Sequence, residues 1–95
     1  MKRIHCEVLG RVQSCGFRDF CWKCAQKTSI TGWAANDTSD IHHVVLEVQG
    51  EEEQLEKFFS LILKKNDRYR IDSLEKTEIT PAADEKGFLA KYRLK

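Results

Sequence analysis

Near the start of the chain the hydrophobic period changes from about two residues to about 3.6 across one short glycine-bounded segment, and few folds accept that switch. From Arg3 to Leu9, Ile4, Cys6 and Val8 alternate with Arg3, His5 and Glu7, the repeat of a strand with one buried face. From Phe17 to Thr28 the residues Phe17, Phe20, Cys21, Cys24 and Ala25 follow the i, i+3, i+4, i+7, i+8 spacing of an amphipathic helix, with Trp22 off the stripe. Gly10 to Gly16 continues neither pattern, so it reads as a strand-to-helix loop.

The rest of the chain completes the order. Ser29 to Asn36 reads as a second strand, Asp37-Thr38-Ser39-Asp40 as a cluster of turn formers, and Val44, Leu46 and Val48 against Val45, Glu47 and Gln49 as a third strand ending at Gly50. These two strands predict a hairpin. A second helix opens with Glu51-Glu52-Glu53, carries Leu55, Phe58, Phe59 and Ile62, and closes near Lys64 and Lys65, with charges that suit the helix dipole at both ends. Tyr69 to Thr80 is a weaker strand with Ile71 and Ile79 as its apolar points, ended by Pro81. Phe88, Ala90, Tyr92 and Leu94 then alternate with Leu89, Lys91, Arg93 and Lys95 as a last strand. This is the α+β, ferredoxin-like βαββαβ order: a four-stranded antiparallel sheet with two helices on one face, with room for a short fifth strand. Many unrelated functions share that fold, so the chemistry must come from a site.

At 95 residues the chain supports one hydrophobic core, and residues 1–95 are expected to form a single domain. Sixteen basic against 15 acidic residues leave a net charge of +1, which provides no whole-molecule field to recruit nucleic acid or an anionic membrane. No signal-like or membrane-length apolar stretch is present, and a cytoplasmic location is expected. Cys6, Cys15, Cys21 and Cys24 are then expected to be reduced. Cys21 and Cys24 form a C-x-x-C that, with His42 and His43, raises a zinc site. Both cysteines fall on the helix's apolar stripe, where a thiol packs as a small hydrophobe, and the histidines lack a compact metal-ligand spacing. No metal is expected.

The loop's position carries the chemistry. N–H groups at a helix start lack intrahelical partners, and with the helix dipole they attract an anion. A curled loop adds further donors where glycine lets the backbone approach. Arg18, in the first helical turn, offers a planar fork that matches phosphate oxygens. Loop and arginine together describe a phosphate cradle.

Gly10-Arg11-Val12-Gln13-Ser14-Cys15-Gly16-Phe17-Arg18 resembles the acylphosphatase signature GRVQGVGFR at seven of nine positions, and Gly32-Trp33-Ala34-Ala35-Asn36 resembles that family's GW-x-x-N motif. Chain length and element order are similar throughout. The resemblance implies hydrolysis of acyl phosphates to carboxylate and inorganic phosphate, without cofactor or metal. It implies Arg18 as the phosphate-binding arginine, Gln13, Ser14, Cys15, Gly16 and Phe17 as the cradle, and Asn36 as the residue that positions the attacking water. The chemistry agrees, because a mixed anhydride has a good carboxylate leaving group and gains mainly from placement and charge stabilisation. An amide can orient water as donor and acceptor. The partner is then a small-molecule acyl phosphate, with phosphate as product or inhibitor, acting on a monomer.

Three departures from the family pattern stand out. Ser14 replaces a common glycine, so a positive φ there adds strain of about 1 kcal/mol. Cys15 places a thiol near the pocket, a candidate for oxidation. Beyond Asn36 the hairpin is longer, with Asp40 in place of a glycine, and Asp37 and Asp40 repel an anionic substrate if they face it; Ala35 also replaces a frequently basic residue. Two rival readings are a domain that has kept the fold and lost turnover, and a binding module for RNA or protein using Trp33, Phe88 and Tyr92 for stacking. The aromatic-basic strings of RNA-binding sheets are missing.

Overall fold

A computed structural model describes residues 1–91, with the order β1 (Lys2–Arg11), α1 (Phe17–Thr28), β2 (Thr31–Asn36), β3 (His43–Gly50), α2 (Glu52–Ile62), β4 (Arg70–Ile79) and β5 (Phe88–Lys91). The strands form one sheet in the order β4-β1-β3-β2-β5. β1 lies antiparallel between β3 and β4, and β2 is antiparallel to β3. The ferredoxin-like arrangement is therefore as expected from the element order, with the short fifth strand added. That strand makes the sheet mixed rather than antiparallel throughout, because β5 runs parallel to β2. The reason is directional: β4 runs opposite to β2, and the chain reverses once more before β5 joins the free edge. Tyr92 and Leu94, which belong to the expected last strand, lie outside the described residues.

Cys6 and Val8 of β1, Ala34 of β2 and Val44, Leu46 and Val48 of β3 share one buried cluster with Phe17, Cys21 and Cys24 of α1 and Leu55, Phe58 and Ile62 of α2. Both helices thus cover the same face. Cys21 and Cys24 belong to this core, where burial pushes both thiols up, and all four cysteines are free. Trp22, off the helical stripe, is exposed. Among the described residues no helix is long and apolar enough to cross a membrane.

Local chemistry sets the ends of the helices. α2 begins with a capping box in which Gln54 Oε1 accepts from the Glu51 main-chain N–H at 2.7 Å, satisfying donors that a helix start leaves open. It ends at Ile62, so Lys64 and Lys65 lie in the following loop and do not serve its dipole as the charge pattern suggests. The other sheet face is polar, yet Arg3 on it is only 5% exposed. Glu47 and Gln49, each at 3.1 Å, and Glu85 at 2.8 Å enclose its guanidinium.

Candidate active site

The loop between β1 and α1 is pinned at both ends. A Cβ on Gly10 would sit 2.1 Å from the Arg70 main-chain oxygen, so only glycine lets β1 cross β4 there after the bulge at Leu9 and Gly10. Val12 and Phe17, each 1% exposed, anchor the loop in the core. The Phe17 ring meets Tyr69 edge-on at 4.6 Å, and Tyr69 donates its hydroxyl to the Ile62 carbonyl at 2.6 Å. The backbone between these anchors curls through Ser14 at φ 61° and Gly16 at φ 83°. Such left-handed turns are where successive N–H groups converge on an anion. Ser14 does occupy the conformation that favours glycine.

Gly16 is also the N-cap of α1, and no side chain caps that end. The first helical bond runs from Phe20 N–H to Gly16 at 3.0 Å, which leaves the N–H groups of Phe17, Arg18 and Asp19 outside the helical ladder. Arg18 is half-buried and donates through Nη1 to the main-chain oxygen of Lys91. Lys91 is the β5 partner of Ala35, the residue before Asn36. The guanidinium is thereby tied to the end of β2.

Asn36 closes β2 opposite Val44 and falls on the same side of the sheet as buried Ala34, the side the helices cover. Its Oδ1 is buried and has no hydrogen-bond partner among the described residues. A buried amide oxygen without a partner is costly and uncommon in a folded protein.

Gln13 links the loop to the hairpin beyond Asn36. Its Nε2 lies 2.9 Å from the carbonyls of Asp37 and Asp40 and 2.8 Å from that of His43. Its side-chain amide therefore faces the hairpin, and within the cradle Gln13 has its main chain to offer. Cys15 is partly buried against the core, with its thiol 3.5 Å from the Arg11 carbonyl. The two acidic hairpin residues are engaged locally: Asp37 accepts from the Ser39 N–H and hydroxyl at 2.8 and 2.7 Å and from His43 Nδ1 at 2.7 Å, and Asp40 accepts from the His42 N–H at 2.9 Å. The bonds from Ser39, then that from His43, hold the Asp37 carboxyl down at about 2.

Motif reading picks out Arg18, Asn36 and the loop; in the structure Arg18 bonds to Lys91, and Gln13 bonds to the hairpin after Asn36. It does not find what lies beyond Asn36. His43, Glu7 and His5 pair along the polar face of β1 and β3, which alternation marks only as an outward face. Arg68 also escapes the motifs, although its Cδ lies 3.6 Å from where a Gly16 Cβ would stand. Of the aromatics considered for stacking, Phe88 is in the core and Trp33 lies under the Lys91 ammonium at 4.6 Å; Tyr92 is outside the described residues.

Known proteins resemble this chain over nearly its whole length. The acylphosphatase family model matches residues 4–90. This chain belongs to the acylphosphatase family. An acylphosphatase of Clostridium perfringens is 42% identical over 81 residues, covering 85% of this chain and 89% of its own. An acylphosphatase of Clostridium acetobutylicum is 39% identical over 92 residues, covering 97% and 99%. The crystal structure of the acylphosphatase from Bacillus subtilis matches with a TM-score of 0.86 at 26% identity, over 97% of this chain and 100% of that one. As an acylphosphatase the chain is a hydrolase acting on acid anhydrides.

Proposed function

We propose that this acylphosphatase hydrolyses the carboxyl–phosphate bond with Arg18 and the loop holding the phosphoryl group and Asn36 aiming the water. The observation that carries the division of roles is the unpartnered, buried Oδ1 of Asn36 at the end of the strand whose β5 neighbour is bound by Arg18. N–H groups from Gln13 to Phe17 and the Arg18 guanidinium stabilise charge on the phosphoryl oxygens as it spreads in the transition state. Asn36 Oδ1 accepts a hydrogen bond from water and turns a lone pair toward phosphorus. The water oxygen bonds to phosphorus and the bond to the acyl oxygen breaks. The carboxylate leaves with the electron pair, and a phosphoryl oxygen takes the water's proton. No side chain need act as a strong base.

Near-zero net charge supports a small-molecule partner and no nucleic acid, and four free cysteines suit a reducing cytoplasm. We read the chain as a one-domain monomer. The test is hydrolysis of benzoyl phosphate in the presence of a chelator. Wild type is expected to turn over without added metal, and Arg18→Ala to lose about 100-fold or more. Chelator-sensitive turnover, or an active Arg18→Ala, overturns the proposal.

A further inference from the structure

The roles assigned above use the helix-covered side of β2 and the loop before α1, whereas the opposite face of the sheet carries a run of ionisable groups. Asp37 Oδ2 meets His43 Nδ1 at 2.7 Å, and His43 Nε2 meets Glu7 Oε1 at 2.5 Å. The other Glu7 oxygen meets His5 Nε2, and His5 Nδ1 meets Glu47 Oε2 at 2.8 Å. Strand register builds the line, since His5 stands opposite Glu47 and Glu7 lies one pair further along the same face.

Each imidazole therefore has a carboxylate at both nitrogens. A neutral ring has one N–H, and an ionised carboxylate can only accept. Only the doubly protonated ring satisfies both bonds.

We infer that His43 is a positioning residue for acyl phosphate hydrolysis: its doubly protonated ring, clasped between Asp37 and Glu7, fixes the hairpin that holds Gln13 and, through Gln13, the oxyanion loop. This rests on the assignment of that loop to the phosphoryl group. His43 and Asp37 supply two of the three carbonyls at Gln13 Nε2, and Asp37 N–H donates to the His43 carbonyl at 3.1 Å. Asp37 directly follows Asn36, so a hairpin that loosens moves the water acceptor and the loop together.

Loss of the His43 proton points a lone pair at one of its two carboxylates. The surroundings reinforce that penalty. On β1, Glu7 and His5 share the face with Arg3, whose guanidinium is engaged at the far end by Glu47 and Glu85. On β4, Glu75 stands opposite Glu7. In the hairpin, Asp37 touches the ring directly and Asp40 accepts from the His42 main chain. Burial disfavours the His43 cation, but its bonds to Asp37 and Glu7 outweigh it and hold the ring's pKa above the ordinary value. The clasp is closed around neutral pH, where both carboxylates are ionised, and opens as pH rises through that raised value.

Sulfate tests this cleanly, because it stays a dianion across the range and brings no titration of its own. Its inhibition of benzoyl phosphate hydrolysis is measured from pH 6 to 9 in wild type and His43→Gln, with the wild-type His43 ring titrated by NMR with and without saturating sulfate. In wild type, sulfate binding is expected to weaken about fivefold or more through the His43 transition, and by reciprocity sulfate raises the His43 pKa. His43→Gln is expected to show a lower kcat/KM and no such pH dependence. A His43 titration unmoved by sulfate overturns the inference, as does an identical sulfate profile in the two proteins. The NMR titration needs neither turnover nor a folded variant. Absence of wild-type turnover counts against the hydrolase assignment alone.

Discussion

The side-chain amide of Gln13 donates to the main-chain carbonyl of His43 at 2.8 Å, joining two segments 30 positions apart in the chain. The loop before α1 and the hairpin that follows Asn36 are thus joined through one side chain. The hairpin is closed by its own backbone bonds, Asp37 N–H to the His43 carbonyl at 3.1 Å and His43 N–H to the Asp40 carbonyl at 3.2 Å, and the glutamine ties the loop to it.

Gln13→Ala removes a donor from three carbonyls, those of Asp37, Asp40 and His43. The expected loss of stability is about 1–3 kcal/mol, with a parallel loss of phosphate affinity. Gln13→Glu is expected to be worse, since a carboxylate cannot donate to a carbonyl. Denaturant melts and phosphate inhibition constants check both.

Ser14 stands at φ 61° with its side chain exposed. Ser14→Gly relieves left-handed strain without removing any packing, against a gain in unfolded-chain entropy, and is expected to stabilise by about 0.5–1 kcal/mol while keeping or raising turnover. A fall in turnover of about tenfold in a stable variant contradicts this and assigns the hydroxyl a role at the anion. Gly16→Ala is the opposite case. At φ 83° there is space for a Cβ, so the backbone alone is strained, and a loss of about 1 kcal/mol is expected.

Stability is expected to depend on pH in both directions. His5 and His43 have raised pKa values in the folded chain, so their contribution is fully present below the unfolded value of about 6.5 and is lost as pH climbs through the folded values. Glu7 and Glu85 are lowered despite burial, by bonds from His5 and His43 and from Arg3 and Thr31 respectively. Their contribution is present above about 4.5 and lost as pH falls through the folded values. Thermal melts should therefore peak between these limits, and His43→Gln should flatten the alkaline side. A melting temperature that rises steadily from pH 6 to 9 contradicts the scheme.

Cys6, Cys21 and Cys24 are buried, and burial raises their thiols, Cys6 to about 12. Cys15 is only partly covered. A brief treatment of the native protein with iodoacetamide, read by peptide mass, is expected to label Cys15 well before the other three. Equal labelling of all four under native conditions contradicts the packing of α1.

Periodicity made the core legible: Cys6 and Val8, the α1 stripe and Val44, Leu46 and Val48 all point where alternation puts them. It also marked the short last strand. It could not give the parallel pairing of β5 with β2, because direction depends on how many reversals precede the strand and which edge is still open. Arg3 shows the same limit on a single side chain. The alternation sends it outward, and long-range partners at Glu47, Gln49 and Glu85 then bury it. At the candidate site, the motifs picked out Arg18, Asn36 and the loop, and the positive φ considered for Ser14 is observed at 61°. They missed His43 and Glu7, because a contact between an outward residue of β1 and one at the start of β3 has no local spacing to reveal it.

The most direct measurement compares phosphate binding with turnover in Arg18→Ala and Asn36→Ala. Calorimetry with inorganic phosphate is set beside hydrolysis of benzoyl phosphate by each protein. Asn36→Ala is expected to bind phosphate within about threefold of wild type, to melt no lower, and to lose about 100-fold in kcat, whereas Arg18→Ala loses phosphate binding and turnover together. Wild-type turnover in Asn36→Ala, or undiminished phosphate binding in Arg18→Ala, contradicts the division of labour between the two residues.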